Sequence, residues 1–167
     1  ATLAAAMRDM AVAAADRVPC TNWPGARMYR YRNRLYAEPE ASCAARLREG
    51  EWPQGLSFDL GELGTLELVP ATGKGLDRAR LPEVLSVTTR VEGEQFVPAG
   101  KTHGRPLRKW LQESGVLPWR RSQLPVLRSA GEIVAVGDLA CAAAYAARPG
   151  EASLVVAWRG RPQLTEA

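Results

Sequence analysis

Histidine is almost absent from this chain, and so are the side-chain groupings on which most enzyme sites depend. One histidine, His103, occurs in 167 residues, no serine stands in a nucleophile elbow, and no acidic cluster offers a metal site. His103 lies in the polar, glycine-flanked loop KTHGR, which favours a surface position over contact with a phosphate or a base. The sequence therefore predicts no catalytic residue and no metal site.

Cysteine and long apolar runs are also scarce. The three cysteines, Cys20, Cys43 and Cys141, are odd in number and far apart, which fits neither a disulfide framework nor a zinc site with paired ligands. No stretch approaches the roughly 20 apolar residues that span a bilayer, and Arg8 and Asp9 in the alanine-rich start argue against a signal peptide. We expect reduced thiols, no membrane contact and a cytoplasmic location.

The chain does contain enough apolar residues, 46%, to form a hydrophobic core. It also carries a mild excess of positive charge, +4 at neutral pH, with a pI of about 9.3. Arginine far outnumbers lysine. The planar guanidinium binds phosphate in a bidentate manner and stacks on bases, which favours a polyanionic partner. GC-rich coding would produce the same bias, so both explanations remain open.

The first third of the chain reads as a helix followed by a strand. Ala1 to Val18 has a helical apolar stripe, and Pro19 ends it. Because the sequence opens inside this helical pattern without an initiator methionine, we expect a piece of a longer protein. The segment NWPGARMYRYRNRLY then predicts a strand with one cationic face, made of Arg30, Arg32 and Arg34. Such a face is either solvated or in contact with nucleic acid, and composition does not decide between the two.

The middle of the chain predicts a linker and a hairpin. Residues 39–55 are consistent with a linker or a short helix, and the alternation from Leu56 to Leu68 around glycines predicts a β-hairpin. The polar segment from Pro70 to Pro82 is the best candidate for a domain boundary. Its Gly73-Lys74 pair does not belong to a phosphate-binding loop, because Leu68 stands where that motif requires glycine.

The last half predicts a mostly antiparallel β domain with one or two short helices, so the fold class is α+β. Strands are expected at 84–91, 126–128, 133–136 and 153–158. Pro106 opens a helix that ends at Gly115, with Leu107, Trp110 and Leu111 on one face and Arg108 and Lys109 on the other. A second proline-started turn follows at Pro118. Trp110 and Trp119, beside leucines, are expected to be core residues more than platforms for bases.

This region resembles the C-terminal domain of the bacterial tRNA(Ile)-lysidine synthetases. The matching pairs are Arg108-Lys109, Gln112-Glu113, Gly115-Val116, Pro118-Trp119, Leu124-Pro125 and Gly131-Glu132. Trp23 to Ala37 similarly resembles the stretch after that family's middle helical domain. Two departures are Leu117, where proline is usual, and Ser129-Ala130 in a turn that is normally more compact.

The resemblance implies a division of the chain and an activity for the full enzyme. Residues 1–40 would end the middle helical domain, 41–82 would be a hairpin and linker, and 83–167 would be a tRNA-binding domain similar in fold to one in the phenylalanyl-tRNA synthetase β chain. The full enzyme would use ATP and magnesium to join lysine to the wobble cytidine of tRNA(Ile) with a CAU anticodon. The family's Ser-Gly-Gly-x-Asp-Ser loop is absent here, since no Gly-Gly pair occurs, so this part is expected to hold no cofactor and to be non-catalytic.

The candidate site is a set of basic residues around the Pro106 helix. The expected phosphate contacts are Arg105, Arg108, Lys109, Arg120, Arg121 and Arg128, with Arg30, Arg32 and Arg34 as a weaker second set. The expected partners are tRNA(Ile) and the catalytic domain, with a homodimer left open. The alternative is a structural or protein-interaction domain whose apolar helix docks on the catalytic domain or on a second subunit.

Overall fold

The computed structural model describes residues 2–12 and 18–166, and it begins with a helix and a small sheet. Helix α1 spans Leu3–Val12, and the remainder of the predicted helix, residues 13–17, lies outside the described residues. Three antiparallel strands follow, β1 (Cys20–Trp23), β2 (Ala26–Tyr31) and β3 (Arg34–Pro39), in the order β1-β2-β3. The short helix α2 (Glu40–Ala44) completes this part of the chain. We call the three-stranded sheet β1-β2-β3 the small sheet.

The rest of the described chain is mostly strands. In chain order these are β4 (Gly50–Pro53), β5 (Phe58–Asp59), β6 (Thr65–Thr72), β7 (Leu76–Asp77), β8 (Val84–Thr88), β9 (Gln95–Phe96), β10 (Arg105–Pro106), β11 (Val126–Ser129), β12 (Glu132–Val136), β13 (Ala140–Cys141) and β14 (Ala152–Arg159), with helix α3 (Leu107–Glu113) between β10 and β11.

These strands form two larger antiparallel sheets and one short ribbon. The five-stranded sheet has the order β13-β12-β11-β8-β4, the four-stranded sheet has the order β5-β6-β14-β7, and β9 pairs with β10. β14 pairs with β6 along its whole length, from Ala152 opposite Thr72 to Arg159 opposite Thr65. The prediction of an α+β fold with a mostly antiparallel domain is confirmed.

One hydrophobic core joins the two larger sheets. Trp52 of β4 and Leu66 of β6 are buried in the same cluster as Leu85, Val126 and Trp158. In β8, side chains alternate between exposed and buried, as expected where one face of an antiparallel strand covers a core. The expected linker segment therefore supplies strands to both sheets. The domain boundary at residues 70–82 remains a prediction. The strands on either side of these residues share this core.

The predicted strand through Arg30, Arg32 and Arg34 is wrong, because the chain reverses direction within it. Arg32 and Asn33 have φ values of 45° and 66° and form a two-residue hairpin turn, the left-handed geometry that matches the twist of paired strands. Arg30 lies opposite Leu35, and Tyr31 lies opposite Arg34. Since neighbours along a strand face opposite sides, Arg30 and Arg34 lie on opposite faces of the small sheet.

Helix α3 follows the sequence prediction closely. Leu107 and Leu111 are fully buried, four residues apart on the face that meets the core. Gly115, with a φ of 72°, lies just past the helix end, where a left-handed residue is commonly required. A 3-10 turn then spans Pro118–Gln123. Among the described residues, no helix combines the length and the apolar character needed to cross a lipid bilayer.

Candidate nucleic-acid interface

One face of the small sheet packs on the 3-10 turn at 118–123. Cross-strand pairing places three residue pairs on this face, Arg27 with Glu38, Tyr29 with Tyr36, and Tyr31 with Arg34.

Trp119 is the centre of this contact. Its ring stacks on Tyr29 at 4.2 Å between centroids and 7° between planes, and it meets the edge of Tyr36 at 5.1 Å. Its indole N–H donates to Glu38 Oε1 at 3.3 Å. Trp110 likewise packs edge-on against Phe96 at 5.1 Å. Both tryptophans are thus packing residues, as expected, and one face of Trp119 is covered by Tyr29.

Arg120 lies inside the same contact. It is 2% exposed, and its Nη2 pairs with Glu38 Oε2 at 2.5 Å. Its Nη1 donates to Gln123 Oε1 at 2.8 Å and to Ser42 Oγ at 3.1 Å. The assignment of Arg120 as a phosphate contact is therefore corrected, because its donors are directed into the protein and away from solvent.

Arg128 forms a second internal ion pair, with Glu94. It is 9% exposed, and its Nη2 lies 2.7 Å from Glu94 Oε2. Its Nε donates to Thr88 Oγ1 at 2.8 Å, on the neighbouring strand β8. A charged group at this depth is stabilised by its partner, and removing it to reach an external phosphate would leave Glu94 unpaired. The assignment of Arg128 as a phosphate contact is corrected in the same way.

The second set of arginines has mostly structural partners. Arg30 donates to the carbonyl oxygens of Met10 and Ala11, at 3.1 and 3.0 Å, and so holds the end of α1 against the small sheet. Arg32 pairs with Glu166 at 3.1 Å and donates to the carbonyl of Gln112 at 3.2 Å. Arg34 is exposed at the start of β3. The three side chains therefore do not form a continuous cationic face.

Three arginines remain at the surface near one another, and we call Arg90, Arg108 and Arg121 the arginine cluster. Arg121 is half-buried, and its Nε and Nη2 both donate to the Val116 carbonyl, at 3.2 and 3.1 Å. Burial lowers the pKa of Arg121, the electrostatic influence of Tyr31 raises it, and the charges of Arg90 and Arg108 lower it further. The guanidinium stays positive at neutral pH, as arginine does in proteins. Repulsion of this kind is relieved when an anion binds between the charges.

The surroundings of the cluster support an exposed cationic surface. Arg108 and Lys109 are exposed on the outer face of α3, and within the described part of the chain neither is in an ion pair. Arg105 is different, because it lies just before α3 and forms an ion pair with Glu113, the last residue of that helix. Arg90 lines a groove with Thr89, Glu92 and Ser122. Arg90 was not among the residues expected from the sequence, in which two glutamates follow it closely. The structure shows that one of them, Glu94, forms an ion pair with Arg128.

The stability of the small sheet depends on pH in the alkaline range through Tyr29, which stacks on Trp119. Burial raises the pKa of Tyr29 to about 12, and the Cys43 thiol adds to the rise. An unfolded tyrosine ionises near pH 10, about two units earlier, so the unfolded chain loses this proton first. Tyr29 therefore contributes its full stability below about pH 10 and loses it progressively as the pH rises toward 12.

We expect an ultraviolet titration of tyrosinate to show one late-ionising group in the folded chain, and Tyr29→Phe to remove it. If the titration of the folded protein is the same with and without Tyr29, the buried position of this hydroxyl is contradicted.

The chain is similar to known proteins over most of its length. Residues 85–158 match the family described as TilS substrate C-terminal domain. The chain is 34% identical over 152 residues to a tRNA(Ile)-lysidine synthase of Alkalilimnicola ehrlichii, covering 90% of this chain and 34% of that protein. It is 34% identical over 132 residues to the enzyme of that name from Aromatoleum aromaticum, covering 77% and 30%, and 28% identical over 153 residues to that from Methylococcus capsulatus, covering 90% and 35%.

The chain thus spans about a third of the length of the curated relatives that it matches. The family profile covers α3, the 118–123 turn and the strands from β8 to β14, which carry all three residues of the arginine cluster. Residues 85–158 therefore match the family described as TilS substrate C-terminal domain, and most of the chain is similar to part of proteins named tRNA(Ile)-lysidine synthase.

Proposed function

We propose that this chain is the tRNA-binding part of a tRNA(Ile)-lysidine synthetase and that the arginine cluster binds phosphates of the tRNA backbone. The observation that carries the proposal is the arrangement of Arg90, Arg108 and Arg121, three like charges gathered at one surface beside Lys109. Arg120 and Arg128 of the same region are engaged in internal ion pairs, and Arg105 is paired with Glu113. The cluster is thus the part of the motif with donors available to a ligand.

The chemistry of such a site suits double-stranded RNA. An A-form helix is recognised mainly through its shape, its phosphates and its 2′-hydroxyls, because its deep major groove cannot be read by side chains. Guanidinium groups on a rigid β scaffold can provide this recognition without any catalytic residue. In the full enzyme, which we propose is an ATP-dependent ligase of the cytoplasm, adenylation and the use of magnesium would belong to another domain, and this part would hold the tRNA.

The direct test is fluorescence anisotropy of the chain with two transcripts, tRNA(Ile) with a CAU anticodon and tRNA(Met), over a range of salt. We expect saturable binding that weakens steeply with salt, because bound phosphates release counterions. A preference for the isoleucine tRNA would assign discrimination to this part. An absence of binding at low salt would overturn the proposal and favour a docking surface for another domain or subunit.

The double substitution Arg108→Ala with Lys109→Ala should lower tRNA affinity and reduce the salt slope. The slope falls by about one, or somewhat less, for each phosphate contact that is lost. A matched control is Arg78→Ala with Arg148→Ala, which removes the same two charges from exposed positions outside the cluster. Equal losses in the two double variants would mean that net charge alone, and not this surface, drives binding.

A further inference from the structure

We infer that Arg32 is a positioning residue, which joins the end of helix α3 to residues 164–166 and so fixes the spacing of the exposed cations. The inference rests on the proposed function, because those cations are the groups proposed to bind phosphate. It replaces the expectation that Arg32 is itself a phosphate contact. Both terminal nitrogens of its guanidinium have acceptors within the protein.

The first observation is the backbone conformation of Arg32. Its φ of 45° lies in the left-handed region, at the first position of a two-residue turn where asparagine, aspartate or glycine is usual. An arginine in this conformation is strained, and such a residue persists where the surrounding structure holds it. The side-chain contacts of Arg32 are the part of the structure that offsets this strain.

The second observation is that the two terminal nitrogens of Arg32 reach different elements. Nη2 donates to the Gln112 carbonyl oxygen in the last turn of α3 at 3.2 Å, and Nη1 lies 3.1 Å from Glu166 Oε2. Carbonyl groups at the end of a helix carry partial negative charge, so a cation there is stabilising. The planar guanidinium presents its two nitrogens at a fixed spacing, which a lysine ammonium group does not provide.

The third observation is the path of residues 164–166, which run antiparallel to residues 115–117. The backbone N–H of Glu166 donates to the Gly115 carbonyl at 3.3 Å, and a β-bridge joins the middle residues of the two segments. Leu164 is 3% exposed and anchors the start of residues 164–166 in the core. The ion pair with Arg32 holds the other end, which the core does not cover.

Both partners of Arg32 are connected to the exposed cations. One partner lies in the helix that carries Arg108 and Lys109 on its outer face. The other is joined to residues 115–117, which contain the carbonyl that accepts both hydrogen bonds of Arg121. Arg32 therefore ties the helix cations to the segment that holds the third cation. Because ordering side chains at an interface reduces binding energy, cations that are already held in place bind phosphate more tightly.

Substitution of Glu166 separates positioning from direct contact, because the two roles predict changes of opposite sign. If Arg32 bound phosphate, Glu166→Ala would free its guanidinium, remove a negative charge and strengthen tRNA binding. We expect Glu166→Ala to weaken binding of the CAU-anticodon tRNA(Ile) transcript about fivefold, the scale of ordering one side chain at an interface. Stronger or unchanged binding would overturn the inference.

Glu83→Ala is the control matched in charge. Glu83 is exposed at the start of β8 and forms no ion pair with another described residue. Its replacement removes the same negative charge and should leave tRNA binding unchanged or slightly stronger. Equal weakening by Glu83→Ala and Glu166→Ala would overturn the inference, because the loss would then not pass through Arg32.

Arg32→Lys tests whether charge alone is sufficient. Lysine keeps the positive charge but not the planar pair of nitrogens, so Arg32→Lys should weaken tRNA binding nearly as much as Arg32→Ala. In the background of Arg108→Ala with Lys109→Ala, the effect of Arg32→Lys should be smaller, since it acts through these residues. Full binding by Arg32→Lys, or an equal loss in both backgrounds, would overturn the inference.

A last measurement tests the inference without RNA. In NMR spectra of the chain, exchange of the Glu166 backbone N–H and of the Arg121 Nε–H with water should accelerate in Arg32→Lys and not in Glu83→Ala. Unchanged exchange of either group in Arg32→Lys would overturn the inference, whether or not the chain binds tRNA. Accelerated exchange of both groups in a chain that does not bind tRNA would preserve the positioning role and refute only the proposed function.

Discussion

Replacing Arg120 by alanine should lower the free energy of unfolding by about 3–5 kcal/mol, the usual cost of removing one partner from a buried ion pair. The substitution leaves the Glu38 carboxylate, which is mostly buried, without its 2.5 Å partner. It also removes the donor that satisfies Gln123 Oε1 and Ser42 Oγ. Because these groups belong to the contact of the small sheet with the 118–123 turn, we expect that contact to loosen first.

Urea denaturation followed by tryptophan fluorescence measures this effect, since Trp119 lies in the contact itself. The matched control is Arg159→Ala, which breaks an ion pair with Glu67 whose side chains are 68% and 42% exposed. Exposed pairs contribute roughly 0–1 kcal/mol, so this variant should be nearly as stable as the parent. Similar losses in the two variants would show that Arg120 is not the internal anchor that its burial indicates.

Replacing Gly64 by alanine should be equally damaging, by about 3–5 kcal/mol, when the strain of a positive-φ conformation that is essentially restricted to glycine is added to overpacking. Gly64 has a φ of 94°, and a Cβ built there would lie 2.0 Å from the carbonyl oxygen of Arg159 and 3.1 Å from its carbon. Both atoms are backbone of β14, which cannot move without disturbing its pairing with β6. The thermal unfolding temperature is the simplest measurement.

Gly61 provides the control, three residues away in the same turn. Its φ is 74°, but a Cβ would meet nothing within 4 Å. Gly61→Ala should therefore cost only the left-handed strain, about 1–2 kcal/mol. If Gly61→Ala and Gly64→Ala have the same unfolding temperature, the close approach of β14 to Gly64 does not determine stability.

Elements built from local signals were predictable from the sequence. The helix between Pro106 and Gly115 was found because proline suits a helix start, glycine suits its end, and Leu107 and Leu111 are four residues apart. The closing strand, expected at 153–158, is β14 at Ala152–Arg159. The direction in which these elements expose their charges was predictable as well, since Arg108 and Lys109 are exposed.

Features that depend on distant partners were not predictable. Arg120 and Arg121 are neighbours with the same charge, yet one is buried against Glu38, about 80 residues earlier, and the other reaches the surface. Spacing alone cannot distinguish them. The turn at Arg32 and Asn33 contains no glycine, and so it was hidden within a strand-like alternation. β4 was assigned to a linker because its buried Trp52 stands among proline and glycine.

The central position of β14 in the four-stranded sheet governs the order in which a nascent chain can fold. β6 and β7 are not neighbours in that sheet, because β14 lies between them and pairs with both. About 80 residues separate the end of β6 from the start of β14, which takes on the order of ten seconds to synthesise. Throughout that interval Leu66 and Leu76 belong to strands with an open edge, the form in which chains pair with one another, so the newly made chain is most exposed to pairing with other chains before β14 emerges.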